Sequence, residues 1–241
     1  DIAREYPHCR REIELISDAV KNCGRDMVLS LSPGPAPLEQ AEHLKANANM
    51  WRITDDFWDK WELLYDMFSR AEKWCTHTGA GHWPDADMLP VGAILQVYNK
   101  DAWTKFTEDE QITMMSLWCI FRSPLMIGGE MTKFDKFTMD LLTNEGILKM
   151  HRNARHSHQV WRREVDGIEH IVWTAMDCDG GQYVAVFNAG DEDSNIKVNL
   201  AELEIYNDVK GTELWSGDAV EASAELPVAL KSHGAKVFFF A

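Results

Sequence analysis

The segment WRITDDF at residues 51–57, followed by WPDADMLPVG at residues 83–92, says most about the fold of this chain. A run with helical spacing of apolar residues lies between the two segments. Each segment places a pair of aspartates at the carboxyl end of a short apolar run. Because α/β barrels collect their catalytic groups at the carboxyl ends of their strands, these carboxylates indicate acid/base chemistry on a sugar.

The flanks of these segments continue an alternation of strands and helices. Short apolar runs predict strands at residues 27–31, 49–53, 88–91 and 125–127. Helical spacing predicts helices at residues 7–23, 38–46, 57–74 and 107–121, with shorter ones between 134 and 150. Thr107 and Glu110 have the spacing of a capping box at the start of the last long helix. About four strands alternating with helices indicate a parallel sheet and half of a closed (β/α)₈ barrel.

The hydrophobic pattern changes to a period of two from about residue 157. It predicts strands at residues 159–165, 170–176, 183–188, 195–200 and 236–240. Turn signals such as Asp166-Gly167 and Gly180-Gly181 separate them, which is typical of an antiparallel β-sandwich. A polar connector near residues 151–157 marks the boundary. We therefore divide the chain into a barrel portion, residues 1–153, and a β-sandwich domain, residues 154–241.

Composition and charge exclude several classes of protein. With 241 residues, 45% of them hydrophobic and 10% aromatic, the chain can bury a sizeable core. Its net charge of -15 argues against a nucleic-acid partner, because phosphate binding needs a basic face. No apolar run approaches the roughly 18 residues of a membrane span. Five cysteines without CxxC spacing favour a reducing compartment such as the cytoplasm over a disulfide framework.

The two segments resemble glycoside hydrolase family 27, which contains retaining α-galactosidases and α-N-acetylgalactosaminidases. In that family the sixth barrel strand carries an Arg followed four residues later by the acid/base Asp, as Arg52 and Asp56 are here. The next strand carries a Trp, two further residues and a Pro-Asp-Met-Leu variant, matched by Trp83 and by ADML at residues 86–89. The resemblance covers nearly the whole chain. It implies the second half of a (β/α)₈ TIM barrel followed by an antiparallel β-sandwich, as in the C-terminal portion of a bacterial-type member.

The resemblance also implies roles for individual residues. Asp56 would be the catalytic acid/base, and Arg52 would bind the substrate. Asp87 and Met88 match positions beside the sugar, the first within hydrogen-bonding reach and the second as packing. Ser32 opens a loop of small residues where the family's α-galactosidases carry Glu and its α-N-acetylgalactosaminidases carry Ser. This loop implies tolerance for an N-acetyl group at the sugar's 2-position.

Each of these residues also has a purely structural interpretation. Asp55 and Asp56 could complement the N-terminus of a helix beginning at residue 57, with Asp55 the better placed as a cap. Arg52 could form an ordinary ion pair at the end of a strand. Met88 could simply fill the core. Trp83 could either stack on a sugar or pack in the structure, and Ser32 could belong to a rigid turn without a role in binding.

Two groups of residues are weak candidates for metal binding. His77 and His82 have a His-x₄-His spacing without matching carboxylates. An acidic group lies in turns of the second domain, where solvated turns are the simplest interpretation and calcium is the alternative: Asp177, Asp179, Asp191, Glu192 and Asp193. We expect neither a metal nor another cofactor.

Family membership would also imply a further part of the molecule. Four βα units would precede this chain, with the nucleophilic Asp at the end of the fourth strand, so that Asp1-Ile2 would begin one residue after it. We expect a retaining exo-α-glycosidase for terminal α-N-acetylgalactosamine or α-galactose that needs this N-terminal half of its own barrel. The alternatives are a non-catalytic carbohydrate-binding protein on a truncated barrel and a glycosidase for another sugar, such as β-L-arabinopyranoside.

Overall fold

The computed structural model describes residues 8–32 and 34–241, so the expected position of Asp1-Ile2 beside a nucleophile lies outside the described residues. The first part of the chain contains a three-stranded parallel sheet. Its strands, in spatial order, are β1 (Ser30–Leu31), β2 (Met50–Arg52) and β3 (Trp83–Asp85). Because all three strands run in the same direction, their carboxyl ends form one edge of the sheet.

Helices cover this sheet. The described residues form α1 (Arg10–Asn22), α2 (Ala41–Asn47), α3 (Trp61–Trp74), α4 (Glu108–Phe121), α5 (Lys136–Thr143) and α6 (Glu145–Asn153). The predicted capping box of α4 is present: the Glu110 amide donates to Thr107 Oγ1 at 3.1 Å, and the Thr107 amide donates to Glu110 Oε2 at 2.8 Å. α4 is buried on nearly all sides, because it lies between the barrel portion and the second domain.

The helix after the first aspartate pair begins later than predicted, at Trp61 rather than residue 57. The backbone amide of Phe57 donates to Asp87 Oδ2 at 2.8 Å, which ties the segment before the helix to the residues that follow β3. Asp55 does not cap the helix, since its Oδ1 accepts the amide of Asp56 at 3.0 Å. The capping interpretation of the aspartate pair is therefore wrong.

The strands predicted at residues 88–91 and 125–127 are also wrong. The strand lies earlier, at residues 83–85, and it ends because Asp87 has a φ of 77°, outside the β region. In the described chain, the predicted pair of strands reduces to one parallel bridge between Leu89 and Ile127. Asp87 consequently follows its strand directly, at the carboxyl edge of the sheet.

The second part of the chain is the predicted antiparallel β-sandwich. Its strands are β4 (Ala154–Val165), β5 (Ile168–Asp177), β6 (Gln182–Asn188), β7 (Ser194–Asn199), β8 (Val209–Glu213), β9 (Ala219–Ala222), β10 (Glu225–Leu230) and β11 (Ala235–Phe240). Six strands form one sheet in the order β4-β5-β6-β11-β8-β9, and β7 pairs with β10 in the other. β4 begins directly after α6 ends at Asn153.

Three strands of the sandwich were missed by the sequence pattern: β8, β9 and β10. Gly211 in β8 weakens the strand signal, yet glycine is needed there because a Cβ would collide with the carbonyl oxygen of Phe239 on β11. Pro227 interrupts the pattern of β10, and it is tolerated because β10 pairs only with β7 among the described strands.

The six-stranded sheet is buried on both faces. One face packs against the barrel portion, where the rings of Phe68 on α3 and Phe187 on β6 lie 4.9 Å apart in an edge-to-face arrangement. The other face packs against β7 and β10, with Val186 and Val198 in the second core. The barrel portion thus shares its core with the sandwich. No helix in the described part of the chain is long and apolar enough to cross a membrane.

Candidate active site

The carboxyl edge of the parallel sheet gathers the polar residues singled out in the sequence. Arg52 at the end of β2 pairs in register with Asp85 at the end of β3. The next backbone hydrogen bond, from the Ile53 amide to the Asp85 carbonyl at 2.9 Å, extends this pairing by one residue. The loop after β1 reaches the same edge, because the Ala36 amide donates to the Arg52 carbonyl at 2.9 Å.

Arg52 brings two of the expected site carboxylates together. Its Nη2 lies 2.8 Å from Asp87 Oδ2 and 3.3 Å from Asp56 Oδ1. The side chain of Arg52 is buried, whereas that of Asp56 is 77% exposed. A fixed cation therefore holds one oxygen of Asp56 while the carboxyl group stays open to solvent.

Asp87 connects the two segments of the site. Its Oδ2 accepts a hydrogen bond from the Phe57 amide at 2.8 Å and forms an ion pair with Arg52 Nη2 at 2.8 Å, so that it fixes the residue next to Asp56 as well as the guanidinium. Its own backbone is held on both sides: its amide donates to Asp85 Oδ1 at 2.8 Å, and its carbonyl accepts from Trp118 Nε1 at 3.0 Å.

Asp85 is a member of this group to which the sequence assigned no role. It is 5% exposed, and burial raises the pKa of its carboxyl group. The hydrogen bond from the Asp87 amide lowers that pKa, the negative charge of Asp87 raises it, and the positive charge of Arg52 lowers it. The Asp-x-Asp spacing after a strand was the signal in the sequence that could have identified it.

Met88 and Ser32 lie at the same edge but with fewer contacts. Met88 is half-buried, and Gly128 leaves room for its sulfur, since a Cβ at that position would lie 2.6 Å from Met88 Sδ. Ser32 is exposed directly after β1, and the described contacts attach its loop to Arg52 through Ala36. Ser32 therefore stays a prediction that rests on its place in the loop.

Trp83 does not belong to this edge. It begins β3, at the opposite end of the strand from Asp85. The guanidinium carbon of Arg122 lies over its ring, 4.7 Å from the centroid, and Arg122 Nε donates to the carbonyl of His151 at 3.0 Å. These contacts support structural packing rather than sugar stacking for Trp83.

Groups that could bind a metal lie away from this edge. Within the described ranges, three ligand atoms come together at Asp177, Cys178 and Asp179, in the turn after β5. Asp177 is already engaged there, by the Tyr183 hydroxyl and by the Asp179 amide at 2.8 Å. His77 Nδ1 faces Glu42 at 4.0 Å. Asp177 thus has structural partners, whereas His77 Nδ1 is buried and has no hydrogen-bond partner among the described residues.

Comparison with known proteins agrees with this architecture. Residues 4–153 match the family model described as alpha galactosidase A. Residues 167–240 match the model described as the alpha galactosidase C-terminal beta sandwich domain. Among curated proteins, α-galactosidase 2 of Arabidopsis thaliana is 24% identical over 232 residues, which are 95% of this chain and 55% of the relative.

Two bacterial structures are more similar. A family 27 β-L-arabinopyranosidase from Geobacillus stearothermophilus is 47% identical with a TM-score of 0.92, over 100% of this chain and 56% of that one. A Bacillus halodurans protein with a provisional assignment as an α-N-acetylgalactosaminidase is 41% identical with a TM-score of 0.81, again over 100% and 56%. The chain thus spans about half the length of these relatives. It belongs to glycoside hydrolase family 27, the family of the α-galactosidases.

Proposed function

We propose that this chain supplies the acid/base side of a retaining exo-glycosidase that removes terminal sugars with the ring configuration of galactose. The observation that carries the proposal is the arrangement of Arg52, Asp87 and Asp56 at the carboxyl edge of the parallel sheet. Catalytic groups of (β/α)₈ barrels lie at that edge. Arg52 and Asp87 are the proposed substrate ligands, with Met88 and Ser32 beside them.

In the proposed mechanism Asp56 protonates the glycosidic oxygen while a second carboxylate attacks the anomeric carbon. Asp56 then removes a proton from the water that hydrolyses the covalent intermediate. The second carboxylate comes from the N-terminal half of the barrel, about 5–5.5 Å from Asp56. Since Arg52 faces Asp56 Oδ1 and the carboxyl group is 77% exposed, the other oxygen can reach a bound glycoside.

Two observations favour different sugars. The 47% identity to a β-L-arabinopyranosidase favours β-L-arabinopyranosides, whose ring has the configuration of galactose without C6. The small residues after Ser32, together with the 41% identity to the Bacillus protein, favour α-N-acetylgalactosaminides over α-galactosides. Rates on aryl glycosides of the three sugars rank these candidates. Sugar binding without turnover would favour a carbohydrate-binding protein instead.

The role of Asp56 is tested in a completed barrel, in which this chain follows the N-terminal portion of the Geobacillus relative. Asp56→Asn should lower kcat/KM on aryl glycosides with poor leaving groups by about 10²- to 10⁴-fold. Substrates with very good leaving groups should lose less in the first step, because they need little protonation. Asp55→Asn is the matched control, since it keeps the oxygen that accepts the neighbouring amide. Equal, small losses on both substrates would remove Asp56 from the role.

A further inference from the structure

The turn at residues 85–87 is held by three buried side chains. The Asp87 amide donates to Asp85 Oδ1 at 2.8 Å, and the Ala86 amide donates to Ser123 Oγ at 2.9 Å. Trp118 Nε1 donates to the Asp87 carbonyl at 3.0 Å. Asp85 is 5% exposed, and Ser123 and Trp118 are 0% exposed. Each of these contacts fixes backbone rather than a side chain, so together they determine the conformation of the turn.

This conformation is unfavourable without support. Asp87 has a φ of 77°, in the left-handed region that residues other than glycine rarely occupy. A carboxylate that accepts the amide two residues later is the usual side-chain support for such a turn. Asp85 provides this acceptor, and Asn or Asp at the strained position itself tolerates the left-handed region better than other residues.

The turn determines where the Asp87 carboxylate points. In the observed conformation Asp87 Oδ2 forms an ion pair with Arg52 Nη2 and accepts a hydrogen bond from the Phe57 amide, each at 2.8 Å. If Asp87 left the left-handed region, its side chain would point elsewhere and both contacts would be lost. Of its described side-chain ion pairs, Arg52 would then keep only the 3.3 Å contact with Asp56, and the segment after Asp56 would lose its hydrogen bond to Asp87.

Packing alone does not account for an acidic residue at position 85. Burial disfavours a charged carboxylate, and the charge of Asp87 nearby adds to that cost. An apolar side chain of similar size would fill the same space without either penalty, but it could not accept the Asp87 amide. The hydrogen-bond acceptor is thus the property that distinguishes Asp85 from a packing residue.

We propose that Asp85 is a positioning residue of the active site: its carboxylate holds Asp87 in the left-handed turn, and Asp87 in turn sets Arg52 and the segment that carries Asp56. Asp85 itself is buried, so Asp87 and not Asp85 would contact the sugar. The kinetic part of this inference rests on the proposed glycosidase activity, whereas its structural part does not.

A double-mutant cycle in the completed barrel tests the kinetic part. Asp85→Ala alone should lower kcat/KM about ten- to a hundredfold, because it leaves a buried amide without an acceptor and releases Asp87. In the background of Asp87→Ala the same change should cost less than about threefold, since the residue through which Asp85 acts is already gone. Equal losses in the two backgrounds would overturn the proposal.

Glu213→Ala is the matched control for this cycle. Glu213 is also buried, and its Oε2 accepts the Ser216 amide at 2.8 Å, but it lies at the end of β8 in the sandwich and no described contact joins it to Asp87. Any loss that it causes should be the same with and without Asp87→Ala. If the control variant also lowered kcat/KM only when Asp87 is present, the cycle would report a general loss of rigidity rather than positioning by Asp85.

Conservative variants separate the acceptor from the charge and cover the case in which Asp85→Ala does not fold. Asp85→Asn keeps an acceptor oxygen at the same reach and should retain kcat/KM within about threefold. Asp85→Glu keeps the charge but is one methylene longer and should behave like Asp85→Ala. An Asp85→Asn variant as impaired as Asp85→Glu would overturn the proposal.

A structure of the variant tests the inference without any activity. In crystals of Asp85→Ala, or of Asp85→Glu if the first does not fold, Asp87 should leave the left-handed region and its carboxylate should move away from Arg52. An unchanged φ and an unchanged Arg52–Asp87 contact would contradict the positioning role. Absence of turnover in the unsubstituted completed barrel would instead contradict the proposed function and leave this structural result to stand by itself.

Discussion

The barrel portion and the β-sandwich of this chain differ in the length of their strands and in how those strands are paired. The sandwich uses strands of up to 12 residues, and its central strands are hydrogen-bonded on both sides. The parallel sheet uses strands of two or three residues, and in the described chain β1 pairs only with β2. The sandwich therefore buries a core between two sheets of its own, whereas β1 and β3 of the short parallel sheet are each paired on one side only among the described strands.

The proposed chemistry lies in the region with the shorter strands. Arg52, Asp56 and Asp87 follow the short strands of the parallel sheet, and no polar group of the sandwich enters their described contacts. The sandwich contributes instead through the shared core, where the ring of Phe187 packs against that of Phe68. We infer that the sandwich stabilises the barrel portion, and in the proposed enzyme the N-terminal half of the barrel would complete the site.

The largest expected effect concerns this shared core. Phe187→Ala should lower the free energy of unfolding by about 3–5 kcal/mol, because it removes a buried ring between the two regions. Val198→Ala, which lies in the core between the two sheets, should cost roughly 1.5–2 kcal/mol. Urea unfolding followed by the helical circular dichroism signal measures both. If Phe187→Ala left the helices as stable as before, the two regions would be independent and the comparison would fail.

The second prediction concerns Ser32, the residue directly after β1 in the parallel sheet. Ser32→Glu in the completed barrel should shift preference from N-acetylgalactosaminides toward sugars with a free 2-hydroxyl. A Glu there would hydrogen-bond that hydroxyl and collide with an acetamide, which should change the ratio of kcat/KM values by roughly ten- to a thousandfold. The ratio is measured on paired aryl glycosides. An unchanged ratio would mean that Ser32 is only a turn residue.

The smallest expected effect concerns pH and the sandwich. His170 is fully buried, its Nε2 lies 2.8 Å from Ser194 Oγ, and burial lowers its pKa. Since the folded-state pKa lies below the unfolded value of about 6.5, its contribution to stability is complete above that pH. The contribution is lost as the pH falls below about 6.5 toward the folded-state pKa.

His170→Gln should therefore flatten the decrease in unfolding free energy between about pH 7.5 and pH 5, because Gln keeps a hydrogen-bonding group and cannot take up a proton. Denaturant titrations at several pH values measure this slope. The exposed His156, changed to Gln, is the control. Equal slopes in the unsubstituted chain and the His170→Gln variant would assign the acid sensitivity to other groups.

The sequence predicted most of this architecture because periodicity reports burial directly. The long strands of the sandwich and the capping box of α4 were confirmed. The errors arose where a tertiary contact overrode local preference. Phe57 has a helical spacing, but it lies before the helix in a segment that is tied to Asp87. Gly211 weakens the strand pattern of β8, although the close approach of β11 requires a glycine there.

The candidate site was predictable only in its outline. The spacing of Arg52 and Asp56, and the position of Asp87, carried the information in the sequence. The Asp-x-Asp spacing offered a signal for Asp85, but the support by Ser123 and Trp118 was not visible, since these two residues come from α4 and the residues just after it. Spatial neighbours of this kind leave no local pattern.

The most direct test of the proposed chemistry is rescue of an acid/base variant by azide. Asp56→Ala in the completed barrel, supplied with an aryl glycoside that has a good leaving group, should form the covalent intermediate and then stall, because water lacks its base. Azide needs no base, so it should restore turnover and give a glycosyl azide with the anomeric configuration of the substrate. A glycosyl azide of inverted configuration, or no rescue at all, would contradict a retaining mechanism with Asp56 as its acid/base.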